Sequence, residues 1–166
     1  MNKIIFAGGC FWGVEEYFSR LNGVLTTTCI YIDGNTKNPK YEELKNNTAT
    51  HAEAVLISYD KSIISLDRLL YHFLQIVDPF SLNKQGNDVG SQYRSGIFYF
   101  DNNDFKNICE YMLEYFEENI KNVKIVVTSA GDFYVSEEFH QKYLKKNPNG
   151  YCHVSFESID KGELKK

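Results

Sequence analysis

The chain has 166 residues, a net charge of −4, four cysteines, twelve tyrosines and twelve phenylalanines. That length suits one domain, 1–166, with a full core. The charge lacks the basic footprint of a nucleic-acid binder, and no apolar run approaches the roughly 18 residues of a membrane span. Cys10, Cys29, Cys109 and Cys152 make no C-x-x-C and no zinc spacing with the four histidines, so neither a metal nor a disulfide framework is expected. With no export signal in view, the expected compartment is the reducing cytoplasm.

The run Lys3–Ala7 reads as a strand that stops at Gly8-Gly9. Cys10 and the only tryptophan, Trp12, follow, and Phe11, Val14, Phe18 and Leu21 then recur at helical spacing. Cys10 therefore sits at a strand-to-helix turn, where free N–H groups and the helix dipole favour an anion. A thiolate there is a nucleophile; the alternative is a small buried filler. Gly8…Gly13 has phosphate-loop spacing, but Val14 stands where lysine is required. Ala7-Gly8-Gly9-Cys10 resembles a lipoprotein cleavage site, yet the apolar run before it is too short for a leader.

Asn22-Gly23 marks a helix stop, and Val24–Ile32 is a β-branched strand with Cys29 on a packing face. Asp33–Lys40 is a loop by composition, and Tyr41–Lys45 a short helix. Ala52–Tyr59 alternates Glu53, Val55, Ile57 and Tyr59 onto one face. Glu53 is then either a strand-end residue reaching water, the commoner case, or a desolvated acid. Ser65 caps a helix with Leu66, Leu69, Leu70, Phe73 and Val77 as its stripe, ended by Asp78-Pro79.

Phe80–Arg94 has no clear period, is long for a connector, and concentrates Gln85, Asn87, Asp88, Gln92, Tyr93 and Arg94. Ile97–Phe100 reads as a strand. Asp101 or Asn102 caps a long helix whose stripe runs through Phe105, Ile108, Cys109, Met112, Phe116 and Ile120, placing Cys109 in the core. Val123–Thr128 reads as a strand, and Ser136–Lys146 as a helix carrying His140, the one histidine retained as a candidate. The segment 147–166 reads as a flexible tail. Cys152, beside Pro148 and Gly150, is either an incidental thiol or a resolving cysteine. The element order predicts an α+β fold: a ferredoxin-like split βαβ core with a mixed sheet over about 3–146, extended by a helix–strand unit and an irregular C-terminal tail.

The octet Gly8-Gly9-Cys10-Phe11-Trp12-Gly13-Val14-Glu15 closely resembles the signature of the A-type peptide methionine sulfoxide reductases. Similarity recurs in family order at Asn38–Tyr41, His51–Glu53, Gln85–Ser95 and Asn147–Cys152. The resemblance implies Cys10 as nucleophile, Glu53 as the acid serving the sulfoxide oxygen, and Tyr41 and Tyr93 as phenols that bind it. It further implies Asp88 as a polar support, Phe11 and Trp12 as walls for the S-methyl group, and Cys152 as the resolving cysteine. Two departures put loop shape in doubt: Ile30–Gly34 replaces a glycine-rich G-Y-A-G-G, and Thr50 precedes His51 where glycine is common.

The implied reaction is thiol-dependent reduction of methionine-S-sulfoxide in proteins, with the free amino acid left open as a further substrate, through a Cys10 sulfenic acid and a Cys10–Cys152 disulfide. No cofactor is implied beyond an external dithiol, thioredoxin in the cell or dithiothreitol in vitro. The expected partners are oxidised proteins and thioredoxin, with neither nucleic acid nor membrane, and the protein is expected to be a monomer. The competing readings are a thiol peroxidase and a redox-sensing domain; a Cys/His hydrolase is weaker because no histidine stands out as its base.

Overall fold

The computed structural model describes residues 2–166. Strand β1 (Asn2–Gly8) leads into α1 (Phe11–Ser19), β2 (Val24–Ile32), α2 (Tyr41–Lys45), β3 (Ala52–Tyr59) and α3 (Leu66–Ile76). After a short hairpin, β4 (Lys84–Gln85) and β5 (Asp88–Val89), come β6 (Ser95–Tyr99), α4 (Asn102–Phe116), β7 (Val126–Ser129), β8 (Phe133–Val135) and α5 (Tyr143–Lys146). The main sheet runs β7-β6-β1-β3-β2-β8. Its central β6-β1-β3-β2 part is antiparallel throughout, the split βαβ core; β7 adds in parallel to β6 and β8 antiparallel to β2, which makes the sheet mixed.

Alternation along the strands divides the interior. Ile4 and Phe6 of β1 and Val55, Ile57 and Tyr59 of β3 join the large cluster with α1, α3 and α4, where Phe6 stacks on Phe73 at 4.6 Å. Ile5, Ala7, Ala52, Ala54, Ile30, Ile32 and Phe98 form a smaller cluster on the other face. Glu53 shares the helix-side face with Val55 and Ile57, so the strand period carries a carboxyl group into the apolar layer. It is 1 % exposed, and the commoner strand-end reading is overturned.

Several expectations are corrected by packing. Ser136–Lys146 is not one helix: β8 precedes it, a 3₁₀ turn covers Glu138–His140, and Lys142 adopts φ 53° before the short α5. The reason is tertiary, because the Lys142 N–H donates to Glu15 Oε1 at 2.6 Å instead of to a helical carbonyl. Cys109 is half-buried, lying next to Ile108 at the edge of the α4 stripe, while Ile108, Met112 and Phe116 take its centre. The segment 147–166 is irregular but held down. The Tyr17 hydroxyl contacts His72 Nδ1 and Ser158 Oγ, both at 2.6 Å; His72 Nε2 meets Glu163 Oε2 at 2.7 Å, and Arg68 grips both Glu163 oxygens.

Candidate active site

Cys10 is the N-cap of α1, at the C-terminal end of β1, with φ −54° and ψ 122°. Gly9 makes the turn with φ +88°, and a Cβ on it would lie 2.7 Å from Gln85 Cβ and 2.9 Å from His153 Nε2. The second glycine is thus needed both for its backbone conformation and for what crowds over it. At Gly8 a Cβ would come 2.8 Å from Val77 Cγ1. The turn is therefore clamped by α3 on one side and by the hairpin and tail on the other.

Glu53 reaches this turn from β3, and its Oε1 accepts the Phe11 N–H at 3.2 Å. Oε2 is buried and makes no hydrogen bond of normal geometry. Burial pushes the carboxyl up to about 8, against the opposing pulls of the Phe11 N–H and the Gln92 amide, and the charge of Asp88 pushes it further. At neutral pH most Glu53 is a neutral acid. The Cys10 thiol is pushed far up, by burial first and by the Glu53 charge second; a backbone hydrogen bond at Trp12 opposes them and loses. The expected low-pKa thiolate is corrected here. The helix N-terminus is present, but Cys10 is only 8 % exposed, and desolvation exceeds what one helix end supplies.

Tyr41 and Tyr93 are half-buried beside these groups. Burial, then the Glu53 charge, raises Tyr41 to about 12 and Tyr93 beyond that, so both phenols remain donors. Asp88 is half-buried on the hairpin, and its Oδ2 accepts the Tyr151 hydroxyl at 2.9 Å. Trp12 stacks on Tyr143 at 3.7 Å, and its indole N–H donates to His140 Nδ1 at 3.0 Å. Phe11 is fully buried against Tyr31 and His140, and His140 in turn packs on the Trp12 and Tyr41 rings.

Cys152 Sγ lies against the first turn of α1, where it would be 3.1 Å from a Cβ on Gly13. Positions 10 and 13 fall on one side of a helix, so Cys152 flanks Cys10, and both are free thiols along with Cys29 and Cys109. The fold thus gathers Cys10, Glu53, Tyr41, Tyr93, Trp12, Asp88 and Cys152 around the end of β1.

Three contributors lay unrecognised in the sequence, and a fourth, Gln85, stood out there only as one of the polar groups of its loop. Glu137 accepts the Tyr31 hydroxyl at 2.8 Å and the Tyr41 N–H at 3.0 Å, fixing the start of α2. Glu15, 2 % exposed, gathers Thr27, Cys29 and the Lys142 N–H. Gln85 staples the irregular loop to the Asp78 backbone and to Ser95. Tyr151 reaches back to Asp88. Glu15 closes the octet, and Gln85 and Tyr151 lie in the recurring blocks, so these three offered a signal; Glu137 depends on long-range contacts with no local trace. The two departures in loop sequence are accommodated through backbone: Arg94 donates to the carbonyls of Asp33, Thr50 and Ser91, which any residue presents.

A sequence profile of the family described as peptide methionine sulfoxide reductase matches residues 2–166. The peptide methionine sulfoxide reductase MsrA of Clostridium perfringens is 52 % identical over 157 residues, covering 95 % of this chain and all of the relative. The crystal structure of Mxr1 from Saccharomyces cerevisiae in reduced form has a TM-score of 0.84 at 33 % identity, covering 91 % of this chain and 88 % of that one. The same yeast protein has also been solved in complex with Trx2; that structure has a TM-score of 0.60 at 23 % identity, covering 92 % of this chain and 86 % of that one.

Proposed function

The chain belongs to the peptide methionine sulfoxide reductase family, and from that premise we propose how its own residues carry out thiol-dependent reduction of methionine sulfoxide. The observation that carries the reading is Glu53: a buried acid, neutral at pH 7, with an unpartnered Oε2 beside a cysteine and two phenols. A sulfoxide sulfur is a poor electrophile until its oxygen is protonated or strongly hydrogen-bonded. Glu53 donates that proton while the Tyr41 and Tyr93 hydroxyls hold the oxygen. Trp12, held by His140 and Tyr143, lines the slot for the S-methyl group and keeps water out.

Cys10 sulfur attacks the sulfoxide sulfur as Glu53 gives its proton to the oxygen and the thiol proton passes to the carboxylate; the hydroxyl then transfers from the substrate sulfur to the Cys10 sulfur as the transient S–S bond breaks. The balance is one Cys10 thiol and one sulfoxide converted to a Cys10 sulfenic acid and one methionine. Cys152 then attacks the sulfenic sulfur; the S–S bond forms, the S–O bond breaks, and water leaves. A dithiol protein of the thioredoxin class reduces the disulfide by exchange, a partnership supported by the yeast relative's complex with Trx2. Such a cycle needs continuous thiol supply, which favours the reducing cytosol as its location. Among the described residues no helix is long and apolar enough to cross a membrane.

The test is turnover of the separate S and R epimers of a methionine sulfoxide substrate with dithiothreitol, for wild type and Cys10→Ser. Turnover of S alone, abolished in Cys10→Ser, is expected. Turnover of neither epimer by folded, reduced protein would overturn the reading.

A further inference from the structure

The side chains around Cys152 alternate in direction. Cys152 and Val154 face α1, where both crowd the position of a Gly13 Cβ. Tyr151 and His153 face the other way, towards the β4–β5 hairpin and the Gly8-Gly9 turn. No sheet ladder holds this segment, so side-chain anchors alone set where the Cys152 thiol sits. Beyond this packing its one hydrogen bond is weak, a donation to the Val154 carbonyl at 3.4 Å. Tyr151 is 41 % exposed. His153 is the anchored neighbour: its Nε2 lies 2.9 Å from the Gly8 carbonyl oxygen, two residues before Cys10.

The space this ring occupies is built for it. A Cβ on Gly9 would lie 2.9 Å from Nε2 and 3.2 Å from Cε1, and one on Gly86 would lie 3.3 Å from His153 Cβ. Both glycines have positive φ, +88° and +59°, so the backbone of the nucleophile's turn and that of the hairpin both open to admit the imidazole. A carbonyl oxygen only accepts, so in the neutral ring Nε2 carries the proton and Nδ1 is bare. Nδ1 is buried with no partner, and burial lowers the ring's affinity for a second proton.

We infer that His153 is a positioning residue for disulfide formation: by tying the residue after Cys152 to the backbone just before Cys10, it holds the two sulfurs in register. This rests on the assignment of Cys152 as resolving cysteine. The step it serves is the condensation of the Cys152 thiol with the Cys10 sulfenic acid, which forms S–S and releases water. Reduction of the sulfoxide itself precedes that step and does not use His153.

The experiment is a single turnover of reduced enzyme with excess methionine sulfoxide and no reductant, quenched over time. Methionine is counted, the disulfide is read by intact mass after alkylation, and sulfenic acid is trapped with dimedone. His153→Phe fills the cradle without a donor; His153→Gln places an amide N–H where Nε2 stood. All proteins are expected to release the first methionine at the wild-type rate. In His153→Phe the disulfide should form about tenfold to a hundredfold more slowly, with dimedone adduct accumulating, and His153→Gln should recover most of the rate. Wild-type closure in His153→Phe, or equal loss in both variants, would overturn the inference. A disulfide on Cys10 that survives Cys152→Ser would instead overturn the assignment beneath it.

Discussion

The Phe11 backbone N–H and Glu53 Oε1 are 3.2 Å apart, which joins the first residue of the nucleophile's helix to the acid projecting from β3. One helix end therefore addresses two groups: it caps at Cys10 and also orients the carboxyl proposed to serve the substrate oxygen.

Glu53→Gln keeps the acceptor for Phe11 but has no proton to give, so sulfoxide turnover should fall about 10²–10⁴-fold. Its stability should move the other way. The folded carboxyl is raised from 4.5 to about 8, so wild type pays for a buried charge increasingly as pH rises through that interval, and fully above 8. The variant should melt at the wild-type temperature near pH 4.5 and above it at pH 9. Calorimetry at those two pH values checks this, and a lower melting point at pH 9 would refute it. Wild-type turnover should decline as pH passes about 8 and Glu53 loses its proton.

His140→Leu removes the acceptor of the Trp12 indole N–H while keeping an apolar filler between Phe11 and Tyr41. The slot wall loosens without loss of a reacting group. KM for sulfoxide should rise about tenfold, roughly 1.4 kcal/mol of binding, with kcat less affected. With one tryptophan in the chain, the emission spectrum reports the change directly; unchanged emission and KM would contradict the role.

Gly13→Ala sets two effects against each other. Alanine favours the helix by about 0.8–1 kcal/mol, whereas its Cβ would stand 3.0 Å from Val154 Cγ2 and 3.1 Å from Cys152 Sγ. The melting temperature should stay near wild type, and the Cys10–Cys152 disulfide should form more slowly because its sulfur has been pushed aside. The same quenched single turnover reads this.

Glu163 fastens the C-terminal segment to Arg68 and His72. Chiefly through the Arg68 hydrogen bonds, its carboxyl is lowered from 4.5 to about 2. A lowered acid stabilises above its ordinary value, and that contribution is lost as pH falls through 4.5 towards 2. Glu163→Gln should cost about 1–2 kcal/mol at pH 7, roughly 2–8 °C in Tm, and the gap should close near pH 2. A gap of constant size across that range would sink the assignment.

Where local signals decided the outcome, the sequence was readable to the residue. Val24–Ile32, Tyr41–Lys45 and Ala52–Tyr59 are bounded as their patterns predict, and Ser65 caps α3 by accepting the Arg68 N–H. The reading failed where a distant group overrode the local one. Lys142 leaves the helix because Glu15 captures its N–H, and the β4–β5 hairpin before β6 is tied down by the Gln85 amide, which bonds the distant Asp78 backbone. Glu53 shows the same limit from another side. Its alternation was legible, but burial depends on what covers β3, and the shifts in both Glu53 and Cys10 follow from that cover.

The anchoring of the tail also determines which thiols can share in the chemistry. Cys152 is held at Gly13 and, through its neighbour, at Gly8, with Glu163 pinning the chain further on. A sulfenic acid at Cys10 therefore meets an internal thiol whose effective concentration is at least on the order of millimolar, the value for short flexible tethers. Free monothiols at similar concentration must also reach a sulfur that is almost wholly enclosed. On the proposed cycle the internal capture wins that race, and what awaits recycling is a disulfide on the enzyme, a species suited to a dithiol donor. Under that proposal the choice of reductant is made by chain tethering before any reductant docks.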